Sequence, residues 1–170
     1  MTLTNLIILK ASLLIIAFLG LPNQAWSQQN QPIQIEADQL DSQDAKGVTR
    51  YTGQVVVTQG ETIITGDQVE LIHPGRQLNT LTASGNPATF AHYDPLQQTK
   101  INGHAQTIIY YAKERKIHLI GNAFLAQQDS HKIQGPRLVY DLNSQTLKAG
   151  STDQQIGRVR MTIEPPSQED

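Results

Sequence analysis

A chain of 170 residues with 13 basic against 15 acidic side chains carries a formal charge of −2, an imbalance too small for a nucleic-acid footprint. It has no cysteine, which excludes disulfide staples, thiol catalysis and cysteine-ligated metal. Aromatic residues make up only 5%, so a large aromatic core is excluded, and the length suits one domain once a leader is removed.

Residues 1–27 read as a secretory signal peptide. Ala11 to Leu21 is an apolar run of suitable length, followed by Pro22-Asn23-Gln24; Ala25-Trp26-Ser27 then offers small residues at the −3 and −1 positions of a cleavage site after Ser27. The alternative is an uncleaved anchor, for which Ile7 to Leu21 is short against a span of about 20 residues. The expected product is an exported, soluble protein with one folded domain, 28–164, and a tail, 165–170.

Gln28 to Pro32 is a polar leader, and Ile33 to Leu40 the first expected strand, with Ile33, Ile35 and Ala37 on one face. Asp41 to Gly47 is a polar turn region. Tyr51 to Leu71 reads as a hairpin: Val55 and Val57 alternate with Gln54, Val56 and Thr58, and Gln59-Gly60-Glu61 turns the chain. His73-Pro74-Gly75-Arg76 is a turn. Leu78 to Ala83 and Ala88 to His92 form a pair around Gly85-Asn86-Pro87, and Tyr93 to Thr99 is the most loop-like stretch. Ile101 to Tyr111 pairs with Lys116 to Ile120, and Ala123 to Gln127 with His131 to Tyr140 across Asp129-Ser130. Leu147 starts the last copy of this pattern, and Ile156 to Ile163 is a final strand before Pro165-Pro166. No segment has helix periodicity with caps; the chain is all-β.

Two half-units recur. One, Ile-x-small-x-x-apolar-x-apolar, starts at Ile35, Ile64, Ile101 and Ile133; the other is a glycine followed by polar and apolar residues at Gly53, Gly85 and Gly121. Starts of the first lie 29, 37 and 32 residues apart, the spacing of a repeat architecture. In each copy the leading isoleucine and the later apolar residue are an odd number of positions apart, which puts them on opposite faces of a flat strand. A bend near the intervening small residue restores both to one side. Four such bends predict strands that curve together, layer upon layer.

No catalytic constellation can be assembled. The histidines are scattered, and neither a nucleophile elbow nor a phosphate loop occurs, so no enzyme activity, metal or cofactor is expected. What remains is one apolar face: Ile33, Ile35, Val55, Val57, Val69, Leu71, Phe90, Ile101, Ile108, Tyr110, Leu119, Leu125, Leu138 and Tyr140. These residues either fill a core or line a slot for an apolar ligand. Open stacking also leaves the strands near Ile33 and near Arg158 to Ile163 as edges. Such edges serve pairing with a second copy or are guarded by charges such as Arg158 and Arg160.

The run QPIQIEADQ at 31–39, Tyr51 to Gly60, Gly85-Asn86-Pro87-Ala88-Thr89-Phe90, Gly121-Asn122-Ala123-Phe124-Leu125 and IQGPRLVY at 133–140 together resemble the LptA (OstA-like) family of periplasmic lipopolysaccharide-transport bridge proteins. The match spans essentially the whole chain after the leader. The resemblance implies an incomplete, open β-jellyroll with an apolar interior that holds lipopolysaccharide by its lipid A acyl chains, and head-to-tail assembly between LptC at the inner membrane and LptD at the outer. It implies lipid contact at Ile33, Ile35, Phe90 and Tyr110, to which the inward pattern adds Val55, Val57, Ile108, Leu125 and Tyr140. The partner edges would be Ile33 and Ile35 at one end and Arg158, Val159, Arg160 and Met161 at the other. Ser42 and Ala112 depart from positions apolar in relatives. Rival readings are an LptC-like anchored component, an exported carbohydrate-binding module (though Trp26 leaves with the leader) and a purely structural filament subunit.

Overall fold

The computed structural model describes residues 31–128, 131–151 and 157–163; the leader 1–27, Asp129-Ser130, Ile156 and the tail 165–170 lie outside them. Among the described residues ten strands form one antiparallel sheet: β1 (Ile33–Glu36), β2 (Gln39–Gln43), β3 (Val48–Gln59), β4 (Thr62–Ile72), β5 (Thr80–Asp94), β6 (Thr99–Tyr111), β7 (Lys116–Gln127), β8 (His131–Asp141), β9 (Thr146–Gly150) and β10 (Arg160–Ile163). The order is β1-β3-β4-β5-β6-β7-β8-β10, with β2 beside β1 on β3 and β9 beside β10 on β8. This is the open, incomplete jellyroll.

All six long strands break register at one height. The pairing shifts between Thr52 and Val55, Thr65 and Gln68, Ser84 and Ala88, His104 and Thr107, and Ile120 and Ala123. The two recurring half-units are these bends: the glycine-led one in β3, β5 and β7, the isoleucine-led one in β4, β6 and β8. In β3 and β7 two successive residues take left-handed conformations, Gly53-Gln54 (φ 85 and 44) and Gly121-Asn122 (φ 80 and 49), and glycine makes the first of them free of strain. The extra residue restores phase, so Ile64 and Val69 are both buried although five positions apart. In β6 the shift falls at Ala105-Gln106, not at Gly103.

The bends divide the sheet into two limbs that fold face to face. The upper limb holds β1, β10 and segments such as 55–65, 88–104 and 123–134; the lower holds β2, β9 and 48–52, 68–84, 107–120 and 137–150. The core between them includes Phe90, Leu125 and Ile64 from above and Leu81, Leu119 and Leu138 from below, each at most 2% exposed.

Three local expectations are corrected. Leu78 to Ala83 and Ala88 to His92 are not two strands but one, β5, running through a cis Asn86-Pro87 peptide. The segments on either side of Gly121 are likewise one strand, β7. Conversely, Ile33 to Leu40 is two strands: the partner, β3, bends at Gly53-Gln54, so the edge chain breaks at Ala37-Asp38 and resumes through Asp41 to Gln43, expected as turn. Two turns outside the bends close on an aspartate. Asp94 Oδ1 accepts from the Leu96 and Gln97 amides (2.9 and 3.3 Å) and Asp141 Oδ1 from those of Asn143 and Ser144 (both 3.0 Å).

Two outcomes follow for stability. A Cβ at Gly66 would lie 2.8 Å from the Ser84 carbonyl oxygen, whereas one at Gly150 meets nothing. In urea unfolding, Gly66→Ala should cost about 2 kcal/mol and Gly150→Ala less than about 0.5 kcal/mol. His92, buried with Nδ1 2.9 Å from Thr62 Oγ1, has its pKa lowered from 6.5 by burial first and then by Arg115. The unfolded chain therefore binds this proton at a higher pH than the folded one. Stability present above pH 6.5 falls as the pH drops from there toward the lower folded value, and His92→Asn should flatten that fall in unfolding curves at pH 7.5 and 5.5.

Candidate functional site: an apolar interior with a cleft at each end

Cross-strand partners in an antiparallel sheet share a face, so the pairing register gives the interior as rows. One runs Ile35-Val57-Ile64-Phe90-Gly103-Leu125-Ile133-Met161 across the upper limb, from edge to edge. Its counterpart below runs Leu40-Tyr51-Val69-Ala83-Ile108-Leu119-Leu138-Ala149. Side chains in mid-row are sealed between the limbs. Those at the ends have no further layer to cover them: Leu40 is 61% exposed, Met161 54% and Ile163 63%.

At the β1 end the limbs part around a cleft of about 670 Å³, lined by Ile33, Gln59 and Thr62 from above and Leu78, Tyr110, Ala112, Lys113 and Arg115 from below. Behind it, between Val57, Ile64 and Leu81, the space shrinks to about 10 Å³, room for a single water. At the β10 end a second cleft of about 400 Å³ is lined by Leu125, Ile133, Val159 and Met161 above and Tyr140, Gln145, Leu147 and Ala149 below. The second cleft offers mainly apolar walls; the first is mixed, with Gln31, Gln59, Thr62, Gln77 and Asn79 and the cations of Lys113 and Arg115 beside its apolar side chains.

The residues singled out from the sequence divide accordingly. Ile33, Val57 and Tyr110 line the first cleft and its recess, and Leu125 and Tyr140 the second. Val55, Phe90 and Ile108 are packed core, at most 1% exposed. Ile35 is half-buried against that core from β1. Of the two departures, Ser42 is exposed and hydrogen-bonds Thr49 (3.0 Å) and Asp44 (3.2 Å), and Thr49 in turn meets His73 (2.8 Å). That polar chain ends the lower row Ser42-Thr49-Leu71-Leu81. Ala112 lines the first cleft.

Sequence reading missed Leu78, Ile133, Leu147 and Ala149 as cleft walls. Alternation back from Tyr140 could have found Leu147 and Ala149 once the 142–145 turn was placed. Arg115 carried no local signal, although its charge acts on both His92 and Tyr110. Burial raises the pKa values of the Tyr110 and Tyr140 hydroxyls, so both stay protonated donors. Among the described residues no group of histidines and acids is placed to hold a metal ion.

Of the expected partner-edge residues, Ile33 and Ile35 lie on β1 and Arg160 and Met161 on β10. Among the described residues β1 pairs only with β3, and β10 only with β8. Val159 precedes β10 and Arg158 adjoins it; both are exposed, and Val159 faces the second cleft.

Known proteins share this architecture. The lipopolysaccharide export system protein LptA of Escherichia coli K12 is 37% identical over 142 residues, covering 82% of this chain and 74% of its own. The export system protein LptH of Pseudomonas aeruginosa is 32% identical over 145 residues, 82% of each. A crystal structure of LptH, described as the LptA-homologous periplasmic component of the lipopolysaccharide transport device of P. aeruginosa, superimposes with a TM-score of 0.76 at 31% identity, covering 82% of this chain and 99% of that one. Residues 34–146 match the family described as LptA/(LptD N-terminal domain) LPS transport protein, and with these relatives the chain belongs to that family.

Proposed function

We propose that this protein is a non-enzymatic periplasmic carrier and bridge for lipopolysaccharide, holding the lipid by its acyl chains. The observation that carries the reading is the set of apolar rows that run the length of a single bent sheet and open into a cleft at either end. An acyl chain entering such a cleft gains about 0.8 kcal/mol per buried CH₂, so a few methylenes in each already give useful affinity. The chain has no nucleotide-binding motif, which fits a conduit driven from elsewhere. In this reading residues 1–27 are a leader cleaved after Ser27, LptC docks at one end of the sheet and LptD at the other, and copies join head to tail.

The register supports that last step and specifies it. With eight strands in the path, β1 and β10 run in opposite directions. A second copy's β1 placed against β10 therefore continues the antiparallel alternation, and its β2 meets β9 in the same way. Continuing the rows brings Met161 beside Ile35. On the outer face, the row that starts at Glu36 ends at Arg160, and the row that starts at Asp41 ends at Lys148. Each junction then places an acid of one copy beside a base of the next, in both limbs.

Two experiments test these statements. Purified protein should bind lipopolysaccharide and fail to bind the same molecule stripped of its acyl chains; equal binding to both would overturn the acyl-chain reading. Ile133→Asp, a charge in the second cleft, should weaken binding about tenfold or more. By analytical ultracentrifugation, Arg160→Glu should shorten assemblies and added Glu36→Arg restore them, with self-association falling as salt rises. Restoration that fails, with both variants folded, would reject this register.

A further inference from the structure

The two end clefts do not communicate. Between them the interior is filled by Phe90 and Ile101 from above and Leu119 and Leu138 from below, all at most 2% exposed. A chain can occupy that middle only if the limbs spread. Along one side they are joined by the bends of six continuous strands, so the opposite side, where the turns of the two limbs meet, is where spreading starts.

A polar contact stands there. Gln145, in the β8–β9 turn of the lower limb, donates from Nε2 to Oδ2 of Asp94, at the end of β5 in the upper limb, at 2.6 Å. Asp94 is fixed in its turn, because its other carboxylate oxygen accepts the Leu96 and Gln97 amides. Gln145 closes the β8–β9 turn in the left-handed conformation (φ 53) that Gln98 and Arg115 adopt in the neighbouring turns. The contact borders the second cleft, which Gln145 and Tyr140 line, on its side toward the first: Arg115, which lines the first cleft, and Asp94 both act on His92, with opposite sign. Tyr140's hydroxyl is buried with no hydrogen-bond partner among the described residues.

We propose that the Asp94–Gln145 hydrogen bond is a clasp that controls the passage of an acyl chain between the two clefts. The proposal rests on the lipid-carrier reading. With the clasp shut, the clefts hold chains separately. With it open, the limbs part, Asp94 and Gln145 are satisfied by water, and the passing lipid's ester or amide carbonyl supplies the acceptor that the Tyr140 hydroxyl lacks.

The native chain has no cysteine, so Asp94→Cys with Gln145→Cys installs the only two thiols. A short cross-linker with a reducible bond then shuts the clasp and reductant releases it. Purified protein carrying a photoreactive residue at Phe90, or at Ile33 in the first cleft, is irradiated with lipopolysaccharide. Bridged protein should keep the Ile33 adduct and lose the Phe90 adduct by about tenfold or more relative to the released form, because the covalent tie holds the limbs together and the free thiols do not. Equal Phe90 adducts in bridged and released protein would overturn the clasp. Absence of adducts at both positions in both forms would instead remove the lipid-carrier reading, and the clasp's role with it. Independently of any photoreactive residue, Gln145→Glu sets two carboxylates together and should speed transfer of fluorescent lipopolysaccharide to a second copy; an unchanged rate would also overturn the proposal.

Discussion

Everything in this molecule depends on six strands bending at the same height. A flat antiparallel sheet of this width would expose one apolar face along its whole length, and an odd residue spacing would scatter Ile64 and Val69 to opposite sides. The register shift in each strand removes both problems at once, because the inserted residue both turns the strand and restores the phase of its side chains. Since neighbours bend together, the sheet closes on itself as two facing limbs, and a chain with few aromatic residues makes a core from medium-sized aliphatic ones.

The same constraint leaves the ends unfinished. A closed barrel would pair its first and last strands; here β1 and β10 stay apart, and the rows that are sealed in the middle emerge at Ile35 and Met161. Free edges and exposed apolar side chains at both ends are hazards for a monomer. In the proposed head-to-tail assembly they would be the working surfaces, and the opposite charges of Glu36 and Arg160 at the two ends of one outer row fit that use. Opening at the ends and closure in the middle are therefore two results of one geometry.

Much of this was legible in the residues. The odd spacing in the isoleucine-led repeat called for bends, and the bends exist; alternation in Tyr51 to Leu71 placed Val55, Val57, Val69 and Leu71 inside. Two of the three errors came from treating Gly85-Asn86-Pro87 and Gly121-Asn122 as breaks between strands, when each is a kink inside one strand whose ladder resumes beyond it. Glycine and proline interrupt local pairing in either case, and only the partner strand decides which. Lipid contact at Phe90 came from the family resemblance and at Ile108 from its inward phase, and neither separates sealed core from cleft wall. That distinction depends on how far a residue lies from the sheet's ends. Asp94 and Gln145 were invisible for a related reason: 51 residues separate them, and their meeting is a product of the fold.

The most direct test of the central claim is photo-crosslinking in living cells, with a photoreactive residue at Ile35 near one end of the interior, at Leu147 near the other, and at the exposed bend residue Gln54 as control. Lipopolysaccharide adducts at Ile35 and Leu147, and none at Gln54, are the expected result for an apolar conduit open at both ends. A folded, exported protein with no adduct at either interior position, or with equal adducts at all three, would contradict it.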